Sequence, residues 1–157
     1  MRIKDFIITI FLVTLLFSCS KKEIKKTVIV EKSLELQVLE AYEQGLRALN
    51  ENDVLYAAKK FNEAEILFPQ SSWAPKSALM AAYSYYKQDY YTDAISELKR
   101  FLKIYPKHKN IAYAYYLLGI CYYEQIVDEK KDLESIKNAK ETFEILIDRF
   151  PNTEYSL

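Results

Sequence analysis

Residues 57–69, AAKKFNEAEILFP, return as residues 94–106, AISELKRFLKIYP, and again as residues 139–151, AKETFEILIDRFP. Ala57, Ala94 and Ala139 open the three stretches, and Phe61, Leu98 and Phe143 follow one helical turn later. An aromatic residue and then Pro69, Pro106 or Pro151 close each of them. The first two prolines lie 37 residues apart and the next two 45. Self-similarity at this distance marks a solenoid of stacked antiparallel helix pairs, whose unit is about 34 residues. Such an architecture binds rather than catalyses, so function is to be sought on its surfaces.

Working outward from these stretches, Gly45, Ala82 and Gly119 recur every 37 residues in the first helix of each pair. Small residues on facing surfaces let two helices approach closely, and the aromatic or leucine fills the space beside them. With Ala57, Phe61, Ala64 and Pro69, and with Ala94, Leu98, Phe101 and Pro106, these positions resemble the tetratricopeptide pattern. A bulkier residue at Ala57 or Ala94 is expected to overpack, costing about 1–3 kcal/mol. The third pair carries Tyr115, Leu118, Gly119 and Tyr122, then Ala139, Phe143 and Leu146. Its extra residues fall in 127–135, where Asp128, Glu129, Lys130, Lys131 and Asp132 read as a solvated loop or helix extension.

The predicted fold class is therefore all-α, with helices near 34–50, 53–68, 72–88, 90–105, 109–126 and 134–150. The repeats run over about 38–70, 75–107 and 112–151, with a fourth starting at 152. Ser72 is a candidate N-cap ahead of Pro75, and Asn152 a candidate cap for a seventh helix. Two glycines and four prolines in 157 residues disfavour a turn-rich β architecture. The formal net charge is zero, from 22 acidic and 22 basic residues mixed along the chain. Nucleic acid, which wants a concentrated basic face, is not an expected partner.

The N-terminus reads differently. Arg2 and Lys4 precede an apolar run from Phe6 to Phe17, too short to span a bilayer comfortably and suited to the core of a signal peptide. The run ends in Leu16, Phe17, Ser18 and Cys19, which resembles the lipobox of bacterial lipoproteins. That resemblance implies cleavage after residue 18 and lipidation of Cys19, with three acyl chains anchoring the product at about 0.8 kcal/mol per buried methylene. Ser20 stands where an aspartate retains enterobacterial lipoproteins at the inner membrane, which by the same resemblance points to the outer membrane. Residues 19–33, with Lys21, Lys22, Lys25, Lys26 and Lys32, read as a flexible tether whose lysines suit anionic headgroups. After cleavage Cys19 is acylated, which leaves Cys121 as a free thiol read as small core filler.

Phe68, Pro69, Ser72, Trp73, Ala74, Ala82, Tyr83, Tyr85 and Tyr86 resemble the second repeat of the BamD family, lipoprotein subunits of the β-barrel assembly machinery. His108, Asn110, Ile111, Tyr113, Tyr116 and Gly119 match that family's third repeat, and the insertion falls at the same place. Ala139, Phe143, Leu146, Arg149 to Thr153 and Tyr155 match the segment that follows. The resemblance implies a periplasm-facing outer-membrane lipoprotein that helps recognise, fold and insert β-barrel precursors. Its implied partners are a BamA-like barrel subunit, the other assembly lipoproteins and the unfolded precursors. By the same resemblance the family has five repeats and docks on the barrel subunit through the last two, whereas the similarity here reaches Tyr155, just past the third. A pilus or secretin assembly lipoprotein, and the helical arm of a peptidoglycan-lytic enzyme, remain as alternatives.

If the first helix of each pair lines the concave face, the exposed stations hold Tyr42 and Leu46, then Leu79, Tyr83, Tyr86 and Lys87, then Tyr113, Tyr116, Tyr123 and Glu124. Tyrosine offers a large apolar body with a hydroxyl at small entropic cost, which suits an extended peptide ending in an aromatic and a carboxylate. Lys87 is the expected partner of that carboxylate, and packing between repeats is the competing use of the tyrosines. No metal-ligand cluster, phosphate loop or activated nucleophile is legible, and no cofactor is expected. The single histidine, His108, reads as a cap or surface residue, and the glutamates as scattered on solvent faces.

Overall fold

The computed structural model describes residues 32–126 and 133–156. The signal region, Cys19, the tether up to residue 31 and residues 127–132 of the charged insertion lie outside the described residues. The described residues form a tetratricopeptide-like stack of six helices: α1 Leu34–Asn50, α2 Val54–Leu67, α3 Ala74–Tyr86, α4 Tyr91–Ile104, α5 Ile111–Glu124 and α6 Leu133–Arg149. Each helix packs on its chain neighbours, with a lighter contact between α3 and α5. This is the nearest-neighbour pattern of a solenoid.

The repeat is written into the backbone of the turns. Asn52 and Asp89, 37 residues apart, both adopt left-handed φ values of 63° and 62°. Asn and Asp tolerate that region because their short polar side chains bond locally. Each residue sets up the same closing bond, Asp53 N–H to the Ala48 carbonyl at 2.9 Å and Tyr90 N–H to the Tyr85 carbonyl at 3.1 Å. At the other end of the stack the proline turns repeat three times. Ser71, His108 and Thr153 donate to the carbonyls of Phe68, Tyr105 and Phe150 at 3.0, 3.0 and 3.2 Å. Ala74, Ile111 and Ser156 then donate to Ser71, His108 and Thr153 at 3.3, 3.0 and 3.1 Å.

This register corrects two capping expectations. Ser33 and Asp53 do cap α1 and α2, accepting from the Leu36 and Tyr56 amides at 3.3 and 3.2 Å. Ser72 does not cap α3; Trp73 holds the cap position without a side-chain bond. The turn itself engages the Ala74 amide, and Pro75 has no amide to satisfy. Asn152 likewise sits in the turn, at the station of Gln70 and Lys107, and the station of the caps Trp73 and Asn110 falls on Tyr155.

Inside each hairpin, small and large residues interlock. A Cβ placed on Gly45 would stand 2.7 Å from the Phe61 ring, and one on Gly119 would stand 2.5 Å from the Phe143 ring. The middle hairpin has the same seam with Ala82 and Leu98, both fully buried. A side chain one methyl larger is thus matched by a smaller knob across the seam. Ala57, Ala94 and Ala139 are buried beside these pairs. Cys121 is also fully buried, and burial pushes its thiol up to about 12, as suits a core filler.

One glutamate overturns the expectation of solvent faces. Glu65 is only 6% exposed and accepts two bonds from the Arg100 guanidinium, at 2.8 and 2.6 Å, and one from the Tyr105 hydroxyl at 2.8 Å. Arg100 also bonds Glu97 at 2.9 Å. This bidentate fork ties the first repeat to the second. It raises the pKa of Arg100, chiefly through the Glu65 bond. Burial, then the same carboxylate, raises that of the Tyr105 phenol.

Candidate functional site

The first helices of the three hairpins, α1, α3 and α5, enclose a cavity of about 420 Å³. On α3, Lys76, Leu79, Met80 and Tyr83 fall at spacings of three, four and seven, which places them on one helical face. Tyr42 of α1 forms one wall, and Tyr113 of α5 with Lys109 and Asn110 just ahead of it forms the other. The floor is apolar and aromatic. The polar groups gather at the end where α3 and α5 begin, and none of the lining residues is acidic.

Packing fixes the walls. Tyr42 lies against Phe61 and Trp73 with ring centroids 5.2 and 5.0 Å away, and burial raises its phenol pKa. Tyr113 is held by Tyr155 at 5.4 Å, and burial is the main cause that pushes its phenol up to about 12. Both tyrosines are therefore neutral hydrogen-bonding groups on apolar bodies throughout the physiological range. The Lys76 ammonium stands 4.6 Å over the Trp73 ring. His108 packs edge-on to Phe101 at 5.6 Å, and its Nδ1 accepts from the Asn110 amide at 3.3 Å. Burial and then the charges of Lys109 and Lys76 lower its pKa. These two lysines form a locally positive rim that an anion entering the cavity would meet.

Of the residues expected from sequence, Tyr42, Leu79, Tyr83 and Tyr113 meet in this cavity. Tyr86 turns to Tyr91, centroids 6.2 Å apart, and Tyr116 to Tyr155 at 5.6 Å, so both serve the packing around the cavity. Tyr123 is 61% exposed and Lys87 is an exposed residue capping the far end of α3; neither lines the cavity. Lys87 lies eleven residues beyond Lys76, about 16 Å along the helix. The cations that do line the site, Lys76 and Lys109, were missed. The spacing of Lys76 to Leu79, Met80 and Tyr83 is the signal that would have found the first of them.

A stack of helical hairpins with an aromatic cavity between them and cations at one end is a helical-repeat scaffold by class. The chain belongs to the YfiO family, described as outer membrane lipoprotein, whose model matches residues 35–157. It is 36% identical over 138 residues to the outer membrane protein assembly factor BamD of Caulobacter vibrioides, covering 88% of this chain and 44% of that protein. The BamD of Rickettsia prowazekii is 34% identical over 116 residues, 74% of this chain and 46% of its own length. That of Neisseria gonorrhoeae is 30% identical over 125 residues, 73% and 47% respectively. The chain thus spans less than half the length of these relatives. The match does not favour the pilus, secretin or lytic-enzyme alternatives.

Proposed function

We propose that this protein acts in assembling outer-membrane β-barrel proteins, as a binding component without catalytic activity. The names of its relatives support that role. In this reading Cys19 is lipidated, the folded residues face the periplasm from the outer membrane, and the partners are a BamA-like subunit and its companion lipoproteins.

The cavity between α1, α3 and α5 receives the C-terminal segment of an unfolded barrel precursor. A terminal aromatic side chain enters among Tyr42, Leu79, Met80, Tyr83 and Tyr113, and its carboxylate meets Lys76 and Lys109. The observation that carries this reading is the pairing of an aromatic cavity with two lysines at one end and no carboxylate in its lining. Binding of a labelled peptide with a C-terminal phenylalanine, measured by fluorescence anisotropy, tests it. Tyr83→Ala and the pair Lys76→Ala, Lys109→Ala should each weaken binding about tenfold or more. Lys87→Ala should leave it within about twofold, as expected of an exposed charge outside the cavity. Unchanged affinity in the first two variants overturns the assignment.

A further inference from the structure

A second surface follows from how charge is distributed between the two ends of the stack. The chain is neutral overall, yet no Asp or Glu occurs from Leu98 to Tyr123, or from Ile66 to Gln88. Four of the seven cations of these stretches, Lys76, Lys103, Lys107 and Lys109, stand where α3 and α5 begin and α4 ends, while Lys87 stands at the opposite end. Among the described residues none of these four is in an ion pair. The opposite end carries Glu51, Asp53, Asp89, Asp93 and Glu124. Its turns are bound together there by the Gln88 side chain, which donates to the Asn52 carbonyl at 2.9 Å. Both ends carry charges of each sign, with Glu35 and Glu154 at the first and Lys87 at the second, and the cluster of lysines is what sets the first apart.

Large apolar side chains stand in water beside the lysines. Ile66 is 74% exposed and Ile104 50%, and Leu34 and Leu36 open the first turn of α1 at the same end. The shared hollow of Ser33, Glu35 and Leu36 with Phe68 and Trp73 places the start of α1 next to the α2–α3 turn. Exposed aliphatics flanked by unpaired lysines are the composition of surfaces that lie on bilayers. α1 begins at this end, with Lys32 and Ser33 just ahead of it.

We infer that the surface bearing Lys103, Ile104 and Lys107 lies against a bilayer carrying anionic phospholipid, with the end bearing Glu51, Asp53 and Asp89 directed away from it. Lys103 and Lys107 are outside the lining of the peptide cavity, so this contact is separable from peptide binding. Each lysine brought to an anionic surface multiplies the association by about fivefold. Salt weakens the contact over a screening length of about 8–10 Å.

Trp73, the single tryptophan, lies at this end and reports on it directly. The full chain is reconstituted with vesicles of phosphatidylethanolamine alone, or with about one-third phosphatidylglycerol, each containing spin-labelled lipid. The expected result is quenching of Trp73 in the anionic vesicles, reversed by salt. Lys103→Gln with Lys107→Gln should lower the apposed population about 25-fold. Both side chains are exposed, so the thermal melt should not change. A tryptophan moved to the opposite end, Tyr123→Trp on a Trp73→Phe background, should stay unquenched. Equal quenching in neutral vesicles, quenching that survives the double substitution, or no quenching at all overturns the inference. So does occupation of Lys103 and Lys107 by a soluble acidic peptide while Trp73 remains unquenched, which would assign the surface to a protein partner.

Discussion

The seam within each hairpin and the wall of the cavity between hairpins are built from the same helices under opposite rules. At the seam every station repeats: Gly45 faces Phe61, Ala82 is matched with Leu98, and Gly119 faces Phe143. At the wall the stations vary from one hairpin to the next. Tyr42 corresponds in register to Leu79 and Tyr116, Tyr83 to Leu46 and Ile120, and Lys76 to Leu39 and Tyr113. Repetition marks what the architecture needs in order to stack. Departure from it marks the lining of the cavity.

The comparison breaks most visibly at the seam. Phe61→Ala removes a fully buried ring and leaves a cavity beside Gly45, so it should cost about 3–5 kcal/mol in chemical denaturation. Next comes the tie between the first two repeats. Glu65→Ala leaves Arg100 and Tyr105 without their shared acceptor and should cost about 2–3 kcal/mol. That is less than for a fully buried pair, because the Arg100 side chain is 36% exposed and can rehydrate. Glu65→Gln, which cannot accept the bidentate fork as a charge, should recover only part of the loss.

A finer test converts the third hairpin into the second. Gly119→Ala forces a methyl against Phe143 and should cost about 1–3 kcal/mol despite the gain in helix propensity. Adding Phe143→Leu reproduces the Ala82 and Leu98 seam. The double-mutant cycle should then show favourable coupling of about 0.5–3 kcal/mol. Additivity would mean that the seam is not the unit of complementarity.

The smallest effect is one of pH. His108 is held below its ordinary value, first by burial and then by Lys109 and Lys76, so the unfolded chain binds the proton more readily than the folded one. Its contribution to stability is full above the unfolded value of about 6.5 and is lost as pH falls through the depressed folded value. His108→Gln should flatten that part of the stability profile by well under a unit of slope, measurable as melting temperature against pH.

These rules also explain what could be read in the sequence. The helices, their order and their boundaries to within about two residues follow from the prolines and the small-residue stations. Glu65 escaped that reading, although it sits at a station that holds Leu102 and Ile147 in the other repeats. A carboxylate at an apolar station is itself a sign of a buried partner, but the partner, 35 residues away on α4, appears only when the helices are stacked. The tyrosines of the site were legible as a class because they are so many. Which of them face the cavity depends on the packing of Tyr86 on Tyr91 and of Tyr116 on Tyr155, a matter of side-chain direction rather than periodicity. That Lys76 and not Lys87 lines the cavity was hidden for the same reason: along one helix, only the tertiary neighbours tell which end borders it.

Site-specific photocross-linking of the full chain to a barrel C-terminal peptide tests the central claim most directly. A photoreactive residue at position 83, on the cavity face of α3, should capture the peptide, and one at exposed position 123 should not. Capture at 123 with none at 83 would contradict the assignment of recognition to the wall between the hairpins.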